Sequence, residues 1–557
     1  MAVPIGNAFA DARLDEATLM LALREHTLGA VPRFERLWAY YRNPQTPIGT
    51  VRAGDSVRAS GGADSAGGHA GTHATSRRYH QAQECGLPAR ITGDYGAFPG
   101  LALGLLDDRA HARRERVIEN DIAWRISSMV DFLLGKPVTI HSLAREAALR
   151  DALTRFLDRL FEHSGGIALL QDMALLGHVY GHVDLILRAD GPALRALARS
   201  MRPQRGGNVE DPDVSADERT LEEALDAAAR LMRIEVVEPR RGVAILDPRD
   251  YREISAYAIQ TITRAAGSPA AVCDESAVSR LRSRLGLAPA RPDREASDQA
   301  GAGRSTITEV ISADAWHIYE DGERVHESVP PTQGQIPVVH IQNIAQPFAY
   351  EGLGEVEPLI PLQDELNTRL SDRAARVTMQ SFRMYLAKGV DGFASSTIGP
   401  GQVWITDNPD ASVSEFGGDR ACPGEESHIR EIREAMDKAS GVPPIAAGVV
   451  QARIGNLSSA NALRITLMGV LAKTARKRVT YGRGISQLCR LALTVLDATG
   501  IVGVGDGDRS VRLTWPDPLP EDLRDQAFAA SIKQDLGVPE ERLLAELGYQ
   551  ATDPGVV

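Results

Sequence analysis

The chain has 557 residues, 43% of them hydrophobic, enough for roughly three or four structural units with cores of their own. A formal net charge of −12 and a pI of about 5.6 exclude a surface that grips phosphate over its whole area, so any nucleic-acid contact has to be local or weak. The four cysteines, Cys85, Cys273, Cys422 and Cys489, form no CxxC or Cys/His ligand pattern and read as reduced thiols in a cytosolic setting, while no apolar signal region and no run of eighteen apolar residues is present.

In chain order, Asp15–His26 and Pro32–Tyr41 read as short amphipathic helices. From Thr46 to Tyr79, Gly, Ser, Ala and Thr dominate, too little apolar area to offset ordering entropy, so a mobile loop is expected; His69, His73 and His80 lack the carboxylates or cysteines of a metal site. Arg114–Leu134 is an amphipathic helix stopped by Gly135. The GKPVT that follows is not a phosphate loop, because the residue after Lys136 is neither Ser nor Thr. Helices Leu143–His163 and Gly166–Leu176 precede a strand at His182–Arg188. His178 and His182 have the i, i+4 spacing of zinc ligands but lack the Glu of HExxH. With Gly177 and Gly181 as helix breakers, they read as half-buried histidines at a helix-to-strand corner.

Arg195–Asp217 reads as a loop and Ala216–Met232 as a helix. Strands are expected at Ile234–Val237, Val243–Leu246 and Glu253–Thr263, and again at Thr306–Ile311, Ala315–Tyr319, Arg324–Ser328 and Pro337–Ile341, with an irregular insertion at 265–304 between the two sets. The middle of the chain is therefore a strand-rich α+β unit.

Leu359, Leu362, Leu366, Leu370, Ala374 and Val377, at spacings of three and four, predict one helix over Pro361–Lys388 stopped by Gly389, about 42 Å long. Arg369, Arg373, Arg376 and Arg383 form a basic stripe on it, suited to acids of a neighbouring subunit or to phosphate. An acidic Gly/Pro-rich stretch follows to Glu425, with Trp404 and Phe416 as anchors of a small subdomain. Ser427–Ser440 is helical, Gly441–Leu457 is a Pro/Gly-rich loop, and Ser458–Asp497 is a long helix. Its basic run Lys473–Arg478 reads as a solvated face or a subunit contact in preference to a DNA site. Strand Val511–Trp515 leads to two short helices joined by Gly537-Val538-Pro539. No nucleophile elbow, Cys/His pair, phosphate loop or telling carboxylate pair appears, so no catalytic residue, cofactor or metal is expected.

The order long helix, acidic subdomain, helix, Pro/Gly loop, long helix carries IPVVHIQN before it, GVPPIAAG and GNLSSANALRI within it and WPDPLPEDLRDQA after it. This arrangement resembles the portal proteins, or head-to-tail connectors, of tailed double-stranded DNA phages and prophages. The resemblance implies an α+β protomer with long stem and wing helices, a strand-rich wing and a small α/β clip, assembling into a ring, usually of twelve copies. It further implies a non-enzymatic role at one capsid vertex, as the channel for packaging and ejecting DNA. Carried onto this sequence, it makes 1–113 a peripheral wing segment, 114–351 the wing and 352–388 the first stem helix. The clip is then 389–426, the second stem helix 427–440, the tunnel loop 441–457, the long wing helix with its following segment 458–510, and the crown 511–557. Ala446, Ala447, Gly448, Val449, Val450, Arg453 and Asn456 become DNA-facing loop residues. The implied partners are further copies of the chain, non-specifically held double-stranded DNA, the terminase large subunit, the major capsid and scaffolding proteins and a head–tail adaptor, with no membrane. The virion is the implied location, after assembly in the host cytoplasm. The stem helix's apolar face is expected to be an intersubunit surface as much as a core. The competing reading is a metal-dependent nucleic-acid hydrolase using His178 and His182.

Overall fold

The computed structural model describes residues 3–47, 79–92, 115–201, 214–264, 304–381, 384–388, 409–416, 422–448, 460–519, 523–539 and 543. Helix α1 (Glu16–Glu25) begins at Asp15, whose carboxylate accepts from the Thr18 amide at 2.7 Å, and a π turn leads into α2 (Val31–Arg42). Strand β1 (Gln45–Pro47) pairs antiparallel with β2 (Tyr79–Gln81); the expected mobile loop between them, with His69 and His73, lies outside the described residues. His80 lies in β2 and bonds Glu84.

Helix α3 (Asp121–Leu134) starts seven residues later than predicted, because Asn120 caps it by accepting from the Ala123 amide. There follow β3 (Thr139–Ser142), α4 (Ala147–Ser164), α5 (Gly166–Tyr180) and β4 (His182–Ala189). Helix α5 runs through Gly177 and stops only at Gly181, whose φ is +95°. Part of the predicted loop at Arg195–Asp217 is instead helix α6 (Gly191–Ser200). Asp190 caps it by accepting from the Ala193 amide, Pro192 suits its first turn, and Leu194 and Ala198 are buried four residues apart. Residues 202–213 lie outside the described set.

Next come α7 (Val214–Leu231), β5 (Met232–Val237), β6 (Gly242–Leu246), β7 (Ile254–Arg264), β8 (Arg304–Ser312), β9 (Trp316–Glu320), β10 (Glu323–Ser328) and β11 (Val338–Gln342). They make two antiparallel sheets, ordered β11-β4-β5 and β10-β9-β8-β7-β6. The predicted strands are all present, to within two residues at their starts. The predicted insertion at 265–304 falls, except for Arg304, outside the described residues. The sheets pack through Ile186, Val237, Tyr257, Ile311 and Trp316, and α1 covers the far side of the larger one.

Helix α8 (Ile360–Ser381) is shorter than the predicted Pro361–Lys388, and its 22 residues span about 33 Å. Met384–Lys388 is strand β12, paired antiparallel with β13 (Ser412–Phe416). A strand partner more than twenty residues downstream overrides local helical preference, and helix periodicity carries no trace of it. Most of the predicted clip, with Trp404, lies outside the described residues. Helix α9 (Pro423–Ser440) returns antiparallel to the stem. The predicted single helix from Ser458 is α10 (Ala460–Thr466) and α11 (Met468–Thr499), broken at Leu467. Strand β14 (Val511–Thr514) pairs with β3, so this part of the predicted crown belongs to the same sheet as the start of the wing. Helix α12 (Leu523–Asp535) follows, and of the second predicted terminal helix only Leu543 is described.

The main core gathers α4, α5, α7 and the C-terminal half of α11. A second cluster joins α2, α3, α8 and α9, and a small third one joins α3 to the start of α11.

Candidate functional site around helices α8 and α11

Both flanks of α8 are covered within one protomer. Leu359, Leu366 and Leu370 are at most 5% exposed and pack against α2, α3 and α9, which corrects the expectation that an isolated protomer exposes this face. Val377 alone among the predicted stripe's large residues is exposed. The other flank is polar and equally buried. The amides of Val117, Glu119 and Asp121 each donate at 3.0 Å, to Ser371 Oγ, Asn367 Oδ1 and Gln363 Oε1 respectively. Two extended residues advance about 6.7 Å and four helical residues about 6 Å, so every second amide of the extended segment meets every fourth side chain of the helix. A side-chain row thus stands in for a neighbouring strand.

The basic stripe is partly consumed inside the chain. Arg369 pairs with Glu365 at 2.7 Å and Asp372 at 3.3 Å, and Arg376 reaches Glu425 on α9 at 2.5 Å. Arg373 is exposed and has no ion pair among the described residues, and Arg383 lies outside them. For Arg369 and Arg376, then, the acids belong to the same subunit.

The stem reaches the predicted tunnel loop through the end of α9. Gly441, at φ +71°, closes the helix, and Val442 is fully buried. The single turn Pro444–Ala447 follows, ending at Gly448 with φ +78°. Ile445 and Ala446 pack on Met129, Leu467, Val470 and Leu519, whereas Ala447 and Gly448 are exposed. The loop base is therefore anchored in core. Val449, Val450, Arg453 and Asn456 lie outside the described residues.

Beneath that base lies a buried ionic junction that sequence reasoning missed. Glu355 is 3% exposed, and its carboxylate meets Lys473 Nζ at 2.5 Å and Lys477 Nζ at 2.7 Å. The Lys477 contact is an ion pair without hydrogen-bond alignment, which leaves Glu355 Oε1 with no other partner. Lys473 also donates to the carbonyl of Ser440, the last residue of α9, at 2.8 Å. The Glu355 amide donates to the His178 carbonyl at 2.7 Å. Burial pushes Lys477 down to about 8, against the pull of Glu355. One turn on, Tyr481 donates to Asn343 Oδ1 at 3.1 Å. Its hydroxyl lies 2.0 Å from where a Cβ on Gly177 would stand, which is why α5 carries glycine there. Next to Gly177, the chain crossing of Gly181 with Gly352 and Gly354 is equally tight, since a Cβ on Gly181 would meet the Gly352 carbonyl oxygen at 2.3 Å.

Lys473 and Lys477 thus leave the predicted solvated face. Arg478 also turns inward, donating to the Pro516 carbonyl at 2.7 Å and lying 5.3 Å over the Trp515 ring. A signal was present in the sequence: Val470, Thr474, Lys477, Tyr481, Ile485 and Leu488 form one buried stripe at spacings of three and four, and Lys477 is a member of it. A second buried ionic cluster braces α3 against α9, where Arg125, 1% exposed, reaches Asp437 at 2.5 Å and Asp121 at 3.1 Å.

His178 and His182 are buried rather than half-buried, and they face different neighbours. His178 Nδ1 donates to the Ala174 carbonyl at 2.6 Å; burial foremost, then Lys477, pushes its pKa well below the ordinary value. His182 lies among the rings of Phe34, His340 and Tyr350, and burial pushes it down to about 4. Asp184 beside it accepts from Tyr257 at 2.7 Å, Tyr350 at 2.8 Å and His340 at 2.7 Å, tying the two sheets together. Among the described residues no three His, Cys, Asp or Glu side chains converge as metal ligands.

A family model described as phage portal protein, SPP1 Gp6-like, matches residues 89–549. The chain belongs to this phage portal family. The portal family is structural and not enzymatic, so the hydrolase reading of His178 and His182 falls. Similar solved structures include a chain of the virion of a native gene transfer agent particle, at 13% identity and a TM-score of 0.37. Another is a chain of the neck of an empty gene transfer agent particle computed with C6 symmetry, at 12% identity and a TM-score of 0.39. Each similarity covers 76% of this chain and 88% of the other. No curated protein sequence matches.

Proposed function

We propose that this portal-family chain forms a closed ring of twelve copies at one capsid vertex of a virion, through which double-stranded DNA is packaged and ejected. The observation that carries the reading is the family match over 89–549, which spans stem, loop base and both long helices. In it, 114–351 is the wing facing the capsid shell and the scaffolding proteins. The segment 389–426 is the clip that docks the terminase large subunit and later a head–tail adaptor, and 441–457 is the tunnel loop. The two stem helices are α8 and α9.

The physical chemistry supports a sliding channel. Every Lys or Arg paired to phosphate adds a salt-sensitive increment of affinity, so a wall that lets DNA move has to spend few cations on it. Here Arg369, Arg376, Lys473 and Lys477 are engaged by Glu365, Asp372, Glu425 and Glu355, and the chain carries a net −12. The exposed end of the loop base, Ala447 and Gly448, offers no charge and little bulk. A loop rooted in core through Val442 and Ile445 can also transmit force from its tip into α9 and α11. Cryo-electron microscopy of rings incubated with duplex DNA tests the reading. The expected image is a central channel with the 441–457 segments at its narrowest level; DNA bound only to the outer rim contradicts it.

A further inference from the structure

The described side chains of helix α12 are largely uncovered. Its thirteen residues span Leu523–Asp535, and of Ala527–Leu536 every residue but Ala530 is solvent-exposed. Isolated helices of about this length are marginal in water, so a helix whose described side chains are exposed gains from a packed partner. Phe528, Ile532 and Leu536 repeat every four residues along α12 and its end, and are 69%, 45% and 78% exposed. They make one apolar stripe about 12 Å long. A second uncovered apolar edge lies on α10 and α11, where Ile465, Met468 and Val479 are 70%, 65% and 63% exposed. That edge is about 21 Å long, with Arg476 exposed beside it and without an ion pair among the described residues. Asp535 on α12 is likewise exposed and unpaired among them, so the two faces match in charge as well as in apolar character.

The two faces are complementary to each other, which points to a second copy of the chain as the occupant. The chain enters α12 from Leu519, which is buried against Leu467 and Val470, the residues between and beside Ile465 and Met468. The chain segment leading into α12 therefore lies beside the start of the α10–α11 edge. In a ring with cyclic symmetry, neighbouring copies meet through two different patches at equal height along the axis. Two unlike apolar faces, one beside the unpaired Asp535 and the other beside the unpaired Arg476, are patches of the kind such a contact joins. We infer that α12 of each subunit packs its Phe528, Ile532 and Leu536 stripe on the α10–α11 edge of the next copy. This inference rests on the ring reading above.

The test is disulfide trapping in the full-length chain, with Met468→Cys and Ile532→Cys introduced together after Cys85, Cys273 and Cys422 are changed to Ser. Oxidation of assembled rings is expected to give a ladder of covalent multimers under denaturing, non-reducing conditions, and each single-cysteine variant to give none. Phe528→Asp is expected to reduce the ring fraction at least tenfold with unchanged far-UV circular dichroism of the protomer, while Phe348→Asp, at an exposed phenylalanine elsewhere, leaves it unchanged. Rings that form yet yield only monomers, or only an intramolecular disulfide, overturn the docking and leave the ring standing. A wild-type chain that never forms rings overturns both.

Discussion

Replacing Glu355 with Gln removes the buried carboxylate shared by Lys473 and Lys477 and keeps its shape. Removing one partner of a buried pair costs about 3–5 kcal/mol when the remaining charge has no escape. Lys477 does have one, because its pKa is already down to about 8, and shedding its proton at pH 7 costs only about 1.4 kcal/mol. Lys473, 20% exposed, keeps its bond to the Ser440 carbonyl and loses one charge-assisted contact, worth about 1.5–3 kcal/mol. The expected loss at pH 7 is therefore about 3–4 kcal/mol, read by urea unfolding and by faster amide exchange in α11. The pH dependence gives a second reading. Wild-type Lys477 titrates near 8 when folded and 10.5 when unfolded, so the unfolded state binds more protons across that window and stability rises with pH through it. In the variant the folded value drops further and the rise starts lower, so the gap between the two proteins narrows by about 1 kcal/mol from pH 7 to pH 9. Adding Lys477→Met to Glu355→Gln is expected to recover part of the loss. A loss below about 1 kcal/mol at pH 7, or a gap indifferent to pH, refutes the assignment of this junction as a buried ion pair.

His182 takes up a proton near 6.5 when unfolded and only near 4 when folded, so the unfolded state binds more protons between those values and stability falls by about 3 kcal/mol as pH drops through them. His182→Gln is expected to flatten thermal unfolding temperature against pH in that interval; an unchanged slope contradicts the burial argument. Gly181→Ala forces a Cβ to within 2.3 Å of a backbone carbonyl at φ +95° and is expected to abolish soluble expression, whereas Gly177→Ala, at an ordinary helical φ, displaces the buried Tyr481 ring and its hydrogen bond to Asn343 and is expected to cost about 3 kcal/mol in urea unfolding. Deleting Val449–Gly455 is expected to leave ring assembly intact, since Val442 and Ile445 anchor the base, while DNA packaging measured as nuclease-protected DNA falls; a chain that fails to fold shows instead that the segment is core.

Period and punctuation made much of the fold legible. Short extended runs bounded by turn residues marked the strands of both sheets, with alternation in Glu253–Thr263, and the spacing of Leu359, Leu362, Leu366 and Leu370 at three and four marked helix α8 and its core face. What escaped depends on partners distant in sequence. Periodicity carried the stem through Met384–Lys388, where backbone pairing with Ser412–Phe416 decides otherwise. Gln363, Asn367 and Ser371 entered neither the apolar nor the basic stripe, yet they are buried as acceptors for the amides of residues 117–121, about 250 residues earlier. The run Lys473–Arg478 reads as a solvated face or subunit contact; Arg476 stays exposed, and Glu355, more than a hundred residues away, is what brings Lys473 and Lys477 inside. Family membership was legible from segment order, which survives when single-residue spacing does not, and the match over 89–549 bears it out. Of the tunnel loop, the root at Ala446, Ala447 and Gly448 is described and the rest of the predicted DNA-facing residues are not.

Assembly into a ring is the property on which the proposed function depends. Native mass spectrometry of the purified chain, supported by electron microscopy of the same sample, measures it most directly. Twelve protomers of 60.1 kDa give a species of about 720 kDa with a central channel. A chain that remains at 60.1 kDa across concentration and ionic strength, with no rings in the images, contradicts it.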